Sequence, residues 1–322
     1  MNYTHSSHFL GPSQLQYLST NTPVYYSPRI SLLSWLPDHL FALAAPVVAY
    51  WAASLFFHAL DLSNWRWLDK YRIHESAEVQ SRNRATRMQV LQAVLLQQLV
   101  QTLLGYWWIE EKPTGAAVDH LSNMLRLAPQ LSRMLLRLFG QTQGSMILRN
   151  YGAEILYYIY WWAIPTSKML LGMFIIDTWQ YFLHRGMHMN TYLYKKLHSV
   201  HHRLNVPYAF GALYNHPLEG LLLDTAGAGI AELVSCMSTR EAIFLFVIST
   251  LKTVDDHCGY SLPFDPLQLV TKNNADYHDI HHQVIGIKSN FSQPFFVHWD
   301  VILGTRMTRK DIEKRRQKQK AN

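Results

Sequence analysis

Three short clusters of histidine constrain the fold of this chain more than any other feature of its sequence. One is HRGMH, which begins at His184, and the pattern HxxHH then occurs twice, as HSVHH at 198–202 and as HDIHH at 278–282. Side chains three and four residues apart share one face of a helix, and a helix uses this spacing to offer two imidazoles to one metal ion. A structural zinc ion takes four ligands and a catalytic zinc about three. Eight clustered imidazoles in these three boxes therefore predict two ions that share them.

Two further histidines are predicted to join the cluster, because they lie at the two ends of an apolar stretch between the second and third boxes. They are His216 in NHP and His257 in DDHCG. Imidazole suits iron, zinc, copper and nickel, so the ligand type leaves open a pair of irons that activates dioxygen or a pair of zincs that drives hydrolysis. Four aspartates are predicted to hold the far ring nitrogens: Asp177, Asp256, Asp276 and Asp279. The predicted metal ligands are His184, His188, His198, His201, His202, His216, His257, His278, His281 and His282, and the eight in the boxes are also assigned to catalysis.

The composition indicates a membrane-embedded protein with a large polar face. Hydrophobic residues make up 49% of the chain and charged residues only 16%, against about 25% charged in a typical soluble domain. Residues 40–60 and 88–109 are each about long enough to cross a bilayer as a helix. Residues 153–183 are predicted to make one further net crossing, and residues 217–255 to form a helical hairpin that enters and leaves on the same side. Residues 119–140 alternate apolar and basic positions at helical spacing and are predicted to lie on the membrane surface.

The distribution of positive charge predicts which side of the membrane the histidines face. The loop at 61–87 carries six Lys or Arg residues, whereas the first 34 residues carry one, and basic loops stay in the cytosol. One net crossing through 153–183 then brings both histidine-bearing segments, 184–216 and 257–322, to the cytosolic side. The predicted fold is therefore all-α, an integral membrane helical bundle with a cytosolic, histidine-rich di-metal cap.

This interpretation divides the chain into four regions. They are a polar N-terminal tail at 1–34, a membrane region with two spans and the amphipathic segment at 35–150, the region of the three boxes at 151–305, and a basic cytosolic tail at 306–322. Much of the net charge of +7 lies in the basic tail. No aromatic residues are interleaved with these charges, so an anionic membrane surface is the expected partner and nucleic acid is not. Lys318 and Lys320 resemble a dilysine retrieval signal of the endoplasmic reticulum.

The three boxes resemble those of the fatty acid hydroxylase superfamily of membrane di-iron enzymes, which also contains the sterol desaturases. Only nine residues separate the first box from the second, and the NHP and DHCG segments also fit that superfamily. Region 151–305 is then the fatty acid hydroxylase domain. The sequence is most similar to sphinganine C4-hydroxylases of fungal type, through DTWQYFLHRGMH, LYKKLHSVHHRLNVPYAFGALYNHPLEG and NNADYHDIHHQ. The resemblance extends over residues 65–310.

The resemblance implies a monooxygenase that hydroxylates carbon 4 of sphinganine or dihydroceramide to the phytosphingosine type, in the endoplasmic reticulum membrane. It implies two iron ions on the box histidines, O2 as oxidant, and electrons from NAD(P)H through cytochrome b5 and its reductase. The sequence contains no haem-binding HPGG segment, so the donor is expected to be a separate protein. Because complementary charge speeds encounter, we expect an acidic donor to meet a basic surface that includes Lys195, Lys196 and Arg203.

Other functions remain open at this stage. A sterol oxidase or desaturase, or another lipid hydroxylase of the same superfamily, would carry the same boxes and differ only in its substrate pocket. A two-zinc membrane hydrolase would be distinguished by its metal content. A metal transporter would need carboxylates or histidines inside the spans, whereas these histidines lie at the ends of the spans. The free base and the N-acylated lipid are both candidate substrates.

Overall fold

The computed structural model describes residues 10–63 and 65–321, and these residues contain no β-strand. Extended backbone pairs there only at two isolated bridges, Leu33 with Leu36 and Arg72 with Tyr260. The all-α prediction is therefore confirmed for the described part of the chain. Residues 1–9 of the predicted N-terminal tail lie outside the described residues.

Helices of very different length follow one another along the chain. The α-helices are α1 (Pro12–Thr20), α2 (Asp38–Leu62), α3 (Arg66–Asp69), α4 (Ser76–Arg82), α5 (Arg87–Trp108), α6 (His120–Tyr158), α7 (Ile164–Met189), α8 (Thr191–Leu193), α9 (Pro217–Gly220), α10 (Gly227–Val234), α11 (Thr239–Asp256), α12 (Pro266–Val270), α13 (Ala275–His282), α14 (His298–Ile302) and α15 (Arg309–Ala321). Short 3-10 turns occupy Gly115–Ala117, His201–Arg203, Ala209–Leu213 and Val284–Gly286, and π-helical turns occupy Ile159–Ala163, Tyr194–His198 and Leu221–Ala226.

Two helical segments in the described part of the chain are long and apolar enough to cross a membrane. They are α2 and the helical run His120–Met189, which contains α6 and α7. The predicted spans at 40–60 and 153–183 fall within these two segments. The span predicted at 88–109 coincides with α5, which is not one of the two, so its crossing of a membrane stays a prediction.

The run His120–Met189 is interrupted at Gly140. This residue has φ 72° and ψ 174°, a backbone conformation that glycine adopts without the steric cost other residues meet. The chain packs closely beside the break, because a Cβ atom on Gly144 would lie 2.9 Å from the Leu135 carbonyl oxygen. The amphipathic segment predicted at 119–140 therefore ends where the helix breaks.

A capping box begins α5. Thr86 Oγ1 accepts a hydrogen bond from the Gln89 backbone N–H at 3.2 Å, and Gln89 Oε1 accepts from the Thr86 N–H at 3.0 Å, so two otherwise unpaired donors are satisfied. Further along, the buried Gln98 side chain accepts a hydrogen bond from Trp51 Nε1–H at 2.9 Å. A buried amide oxygen is costly unless it accepts a hydrogen bond. This contact therefore favours packing of the Gln98 face of α5 against α2.

The described residues form two compact units. The first takes its residues from Met1–Asp38, Glu111–Leu170 and Met237–Glu241, and the second from His39–Glu110, Leu171–Cys236 and Ala242–Asn322. In the first unit, Leu18 of α1 packs in a core with Met124 and Leu131 of α6. In the second unit, an apolar core joins α2, α5, the loop after the second box and the end of α11. Its buried residues include Tyr50, Val94, Leu204, Tyr214 and Val254. All three boxes belong to the second unit.

Two helical runs occupy the hairpin predicted at 217–255, and its entry into the membrane from one side stays a prediction. The first comprises α9, the π-helical turn Leu221–Ala226 and α10, and the second is α11. The chain turns between them at residues 235–238, where Cys236 has φ 50°. The second box lies before this hairpin, and His257 follows it directly.

Candidate metal centre

The first box lies on the last turns of α7. His184 and His188 are four residues apart, so both rings project from one face of the helix, with their centroids 4.9 Å apart. Both side chains are buried. The regular spacing predicted from the sequence is therefore realised on a regular helix.

The third box lies on α13, which begins at a polar cap. Asn274 Oδ1 accepts a hydrogen bond from the Tyr277 backbone N–H at 2.9 Å, as expected of an N-cap residue. His278 and His282 share one face of this helix. His281 is rotated by about 60° from His278 and about 100° from His282, so α13 presents imidazoles in two directions.

The second box lies on irregular backbone. A π-helical turn ends at His198, and a 3-10 turn begins at His201. His198 and His202 nevertheless meet, with their Nε2 atoms 3.0 Å apart. The ring of His201 points elsewhere and lies 4.7 Å from the ring of His282, measured between centroids.

The eight box histidines and His257 form two groups, and the second and third boxes each contribute to both. Within each group, one ring nitrogen from every member lies within 4.8 Å of the others. The first group is His184, His188, His198, His202 and His281, and the second group is His201, His257, His278 and His282. All nine side chains are buried.

Hydrogen bonds on the outer side of the rings determine which nitrogen carries the proton. His184 Nδ1 lies 2.8 Å from the Phe291 carbonyl oxygen, which can only accept, so Nδ1 is protonated and Nε2 has a free lone pair. The same holds for His281, whose Nδ1 donates to the Ser289 carbonyl at 2.7 Å. The second group follows this pattern too. Its outer bonds run from His201 to Tyr214 O at 3.2 Å, from His257 to Thr253 O at 2.8 Å and from His282 to Leu204 O at 2.7 Å.

The inner nitrogens of these five rings therefore carry no proton, and the Nε2 atoms within each group lie close together. His184 Nε2 and His198 Nε2 are 3.0 Å apart, and His201 Nε2 and His257 Nε2 are 3.5 Å apart. Two lone pairs at such distances repel unless a cation lies between them. Two nitrogens about 2.1 Å from one ion are about 3.0 Å apart at a right angle and about 3.4 Å apart at a tetrahedral angle. The donor geometry of both groups thus fits a metal ion, and the buried, unpartnered Nε2 of His281 fits it as well.

Burial favours the neutral, metal-binding form of these rings. Burial, together with the neighbouring imidazoles, lowers the pKa of His198, His201 and His202 well below the ordinary 6.5. The pKa values of His278, His281 and His282 are lowered well below 6.5 for the same reason. Neutral imidazoles leave the whole charge of a bound ion in place, which makes that ion a strong Lewis acid.

His216 is the one predicted ligand that joins neither group. Its Nδ1 accepts a hydrogen bond from the Leu218 backbone N–H at 3.2 Å, so the side chain caps the first turn of α9. The Nδ1 atom of His216 is therefore engaged with the backbone. We therefore leave His216 out of the ligand set that follows.

The prediction that four aspartates hold the outer ring nitrogens is wrong. Backbone carbonyls take that role for most of the rings, and the aspartates have other partners. These are the Phe295 and Phe296 N–H groups for Asp177, Lys252 for Asp256, Arg309 for Asp276, and His74 and Arg309 for Asp279.

One carboxylate that the sequence analysis missed does bond to a box histidine. Glu219 Oε1 lies 2.5 Å from His198 Nδ1, and both side chains are buried. The available signal was an acidic residue three positions after His216, at the start of an apolar stretch. Nothing in that spacing indicated which histidine it would reach.

Comparison with known proteins gives a consistent result. The sequence model of the family described as fatty acid hydroxylase matches residues 169–305. The chain is 46% identical to the sphingolipid C4-hydroxylase SUR2 of Saccharomyces cerevisiae, over 91% of this chain and 78% of that protein. It is 43% identical to sphinganine C4-monooxygenase 1 of Arabidopsis thaliana, over 84% of this chain and 88% of that protein. It is also 40% identical to a very-long-chain aldehyde decarbonylase of Oryza sativa subsp. japonica, over 85% of this chain and 90% of that protein. No solved structure matches the chain.

Proposed function

Because the chain belongs to the fatty acid hydroxylase family, we propose that it is a membrane monooxygenase that hydroxylates carbon 4 of sphinganine or dihydroceramide. The observation that carries this proposal is the pair of buried histidine groups whose Nε2 atoms face one another. The names of the relatives from Saccharomyces cerevisiae and Arabidopsis thaliana supply the substrate class. A neutral, all-imidazole donor set for two ions suits oxygen chemistry on an inert C–H bond.

Two iron ions are the proposed cofactors, one in each group. The five histidines of the first group would hold one ion and the four of the second group the other. When bound, the iron pair supplies the activation of O2, with two electrons and two protons, that converts C–H to C–OH and releases water. The chain's own residues fix the ligand positions and exclude water, because all nine ligand side chains are buried.

The electron donor is proposed to be cytochrome b5, reduced by its NAD(P)H-dependent reductase. Lys195 and Lys196 are exposed on the π-helical turn that ends at His198, so an acidic donor would dock beside a ligand of the first group. The guanidinium of Arg203 is already engaged, since it donates to the Arg84 carbonyl oxygen at 3.1 Å. The double variant Lys195→Glu/Lys196→Glu should slow reduction of the enzyme by cytochrome b5, whereas Lys272→Glu, an exposed lysine outside the turn, should not. Equal reduction rates in all three proteins would contradict this docking surface.

The proposed location is the endoplasmic reticulum membrane, with the boxes facing the cytosol. The two membrane-capable helical segments and the six basic residues at 61–87 support this. An epitope tag placed after residue 322 should be reached by antibody once the plasma membrane alone has been permeabilised. A tag that is reached only after the internal membranes are opened would overturn the orientation.

The decisive experiment is a long-chain-base profile by mass spectrometry. Cells that lack 4-hydroxylated bases would receive the intact chain, His201→Ala, or His39→Ala as a matched histidine control outside both groups. The intact chain and His39→Ala should yield a base one oxygen heavier than sphinganine, with fragments that place the oxygen on carbon 4. His201→Ala should yield none at equal protein abundance. An unchanged profile with the intact, metal-loaded chain would refute C4 hydroxylation, and a change in sterols instead would favour a sterol oxidase.

An aldehyde decarbonylase is the second candidate. The 40% identity to the rice relative, over most of both chains, favours it. The same cell extracts would be analysed for very-long-chain aldehydes and alkanes. Alkanes that appear with the intact chain and not with His201→Ala, without 4-hydroxylated bases, would replace the C4-hydroxylase proposal.

A further inference from the structure

We propose that Glu219 is a positioning residue that orients His198 and makes the first histidine group the tighter of the two metal sites. Its Oε1 lies 2.5 Å from His198 Nδ1, and the two side chains are 1% and 2% exposed. The inference rests on the proposed function only in taking both groups as metal sites, and it adds a role for a residue outside the histidine boxes.

Glu219 differs in kind from the other outer partners found among the described residues. His184, His281, His201, His257 and His282 all donate to backbone carbonyl oxygens. Among the nine grouped histidines, only His198 is bonded to a carboxylate of the described residues. A charged acceptor makes a stronger hydrogen bond than a carbonyl and raises the basicity of the opposite ring nitrogen. The His198 Nε2 lone pair therefore becomes the best donor in its group.

His198 is also the ring through which this effect reaches the rest of the first group. Its Nε2 is 3.0 Å from His184 Nε2 and 3.0 Å from His202 Nε2, so its orientation affects two neighbouring donors. A histidine on a π-helical turn lacks the regular helical neighbours that direct His184 and His188. A fixed partner on its outer side supplies that direction instead.

The chain holds Glu219 rigidly. His216 caps α9, and Pro217 occupies the first helical position, where its fixed φ favours the helix. Gly220 follows Glu219 and faces Gln97, so that a Cβ atom there would lie 2.4 Å from Gln97 Cδ. Close packing at Gly220 therefore limits the positions that the turn with Glu219 can adopt.

The carboxylate form of Glu219 would also offset the charge of a bound ion. Glu219 Oε2 is buried and has no hydrogen-bond partner in the described residues, and an isolated buried carboxylate is costly. A metal ion held by neutral imidazoles gives that carboxylate a compensating positive charge close by. Occupancy of the first group and burial of Glu219 therefore stabilise each other.

The test is retention of iron by purified, detergent-solubilised protein loaded with Fe(II). Glu219→Gln keeps the size of the side chain and an acceptor oxygen, and Glu219→Ala removes both. Asp224→Asn is the matched control, since it neutralises a carboxylate on the same helical run that bonds Gln97 rather than a histidine. Iron per chain and the rate of iron loss to a chelator would be measured, with thermal unfolding of each apo protein as the reading of fold.

We expect two ions per chain in the wild type and in Asp224→Asn. Glu219→Gln should lose one ion roughly 10- to 100-fold faster, the range typical of outer-partner substitutions, and Glu219→Ala should lose it at least as fast. Wild-type retention in both Glu219 variants would overturn the proposal, and so would equal loss in Asp224→Asn. If Glu219→Ala does not fold, the isosteric Glu219→Gln still decides. The assay needs no substrate, so a wild type that holds two ions but makes no 4-hydroxylated base would refute the proposed function and leave this test intact.

Discussion

The two histidine groups share the second and third boxes but are supported differently. The first group has five members and one carboxylate partner, and two of its members come from the regular helix α7. The second group has four members, and its outer partners are backbone carbonyls. The difference shows that a repeated sequence motif does not produce two equivalent histidine groups. The groups differ in the number of members and in their outer partners, which the motif does not specify.

Each paired substitution should abolish metal binding by one histidine group only. This is the largest effect we expect. His198→Ala/His202→Ala removes two ligands of the first group, and His278→Ala/His282→Ala removes two of the second. Each variant should bind about one iron per chain in place of two and lose hydroxylation, because the reaction needs both ions. The activity loss should exceed the roughly 100-fold typical of outer partners.

Iron content by elemental analysis and product formation by mass spectrometry would check this prediction. His39→Ala/His58→Ala serves as the control, since it removes two histidines that belong to neither group. Loss of both ions from either paired variant would mean that the nine histidines form one site rather than two.

Acidification should lower the stability of the folded, metal-free protein. The pKa values of His198, His202, His278 and His282 are lowered well below 6.5 by burial and by the neighbouring rings. Below pH 6.5 the unfolded chain therefore binds more protons than the folded chain, so the free energy of unfolding falls as the pH falls. Thermal unfolding of the apo protein from pH 8 to pH 5 should show a melting temperature that drops below pH 6.5. A melting temperature that rises on acidification would contradict neutral, buried rings.

A chelator should remove the two ions at different rates. The second group has fewer members and, within the described part of the chain, no carboxylate partner, so we expect its ion to leave first, roughly 10-fold sooner than the ion of the first group. Iron release would be followed against time and should be biphasic, with about one ion in each phase. The early phase should be absent from His278→Ala/His282→Ala. A single phase in the wild type would remove the distinction in affinity between the groups.

The smallest expected effect concerns His216. His216→Ala removes a helix cap but no ligand, so both ions should remain and the free energy of unfolding should fall by about 1 kcal/mol. Iron content and chemical denaturation would check this. Loss of an ion would restore His216 to the ligand set, and the cap bond to Leu218 would then describe only the metal-free protein.

The elements and most of the ligands could be predicted from the sequence because they depend on local pattern. Apolar length predicted α2 and the helix that carries the first box. The spacing of the boxes selected eight residues that do converge, and the position of His257 at the end of an apolar stretch selected the ninth. His216 lies outside both groups, and a position beside an apolar stretch does not reveal the backbone cap that it forms. The aspartates were misassigned because a carboxylate near a histidine in sequence is often committed to another partner, as Asp279 is to His74 and Arg309.

The sequence by itself determined an all-helical chain in the described residues, its membrane-capable segments, and a set of histidines spaced to bind two ions. Only the tertiary structure decided how those histidines are divided, and that a glutamate rather than an aspartate supports one of them. The physical reason is that spacing determines which side chains share a face of one helix. Which side chains of separate segments come into contact depends instead on how those segments pack. His184 meets the Phe291 carbonyl, and His282 meets the Leu204 carbonyl, across long separations in the chain. Such contacts form only when the whole second unit has folded.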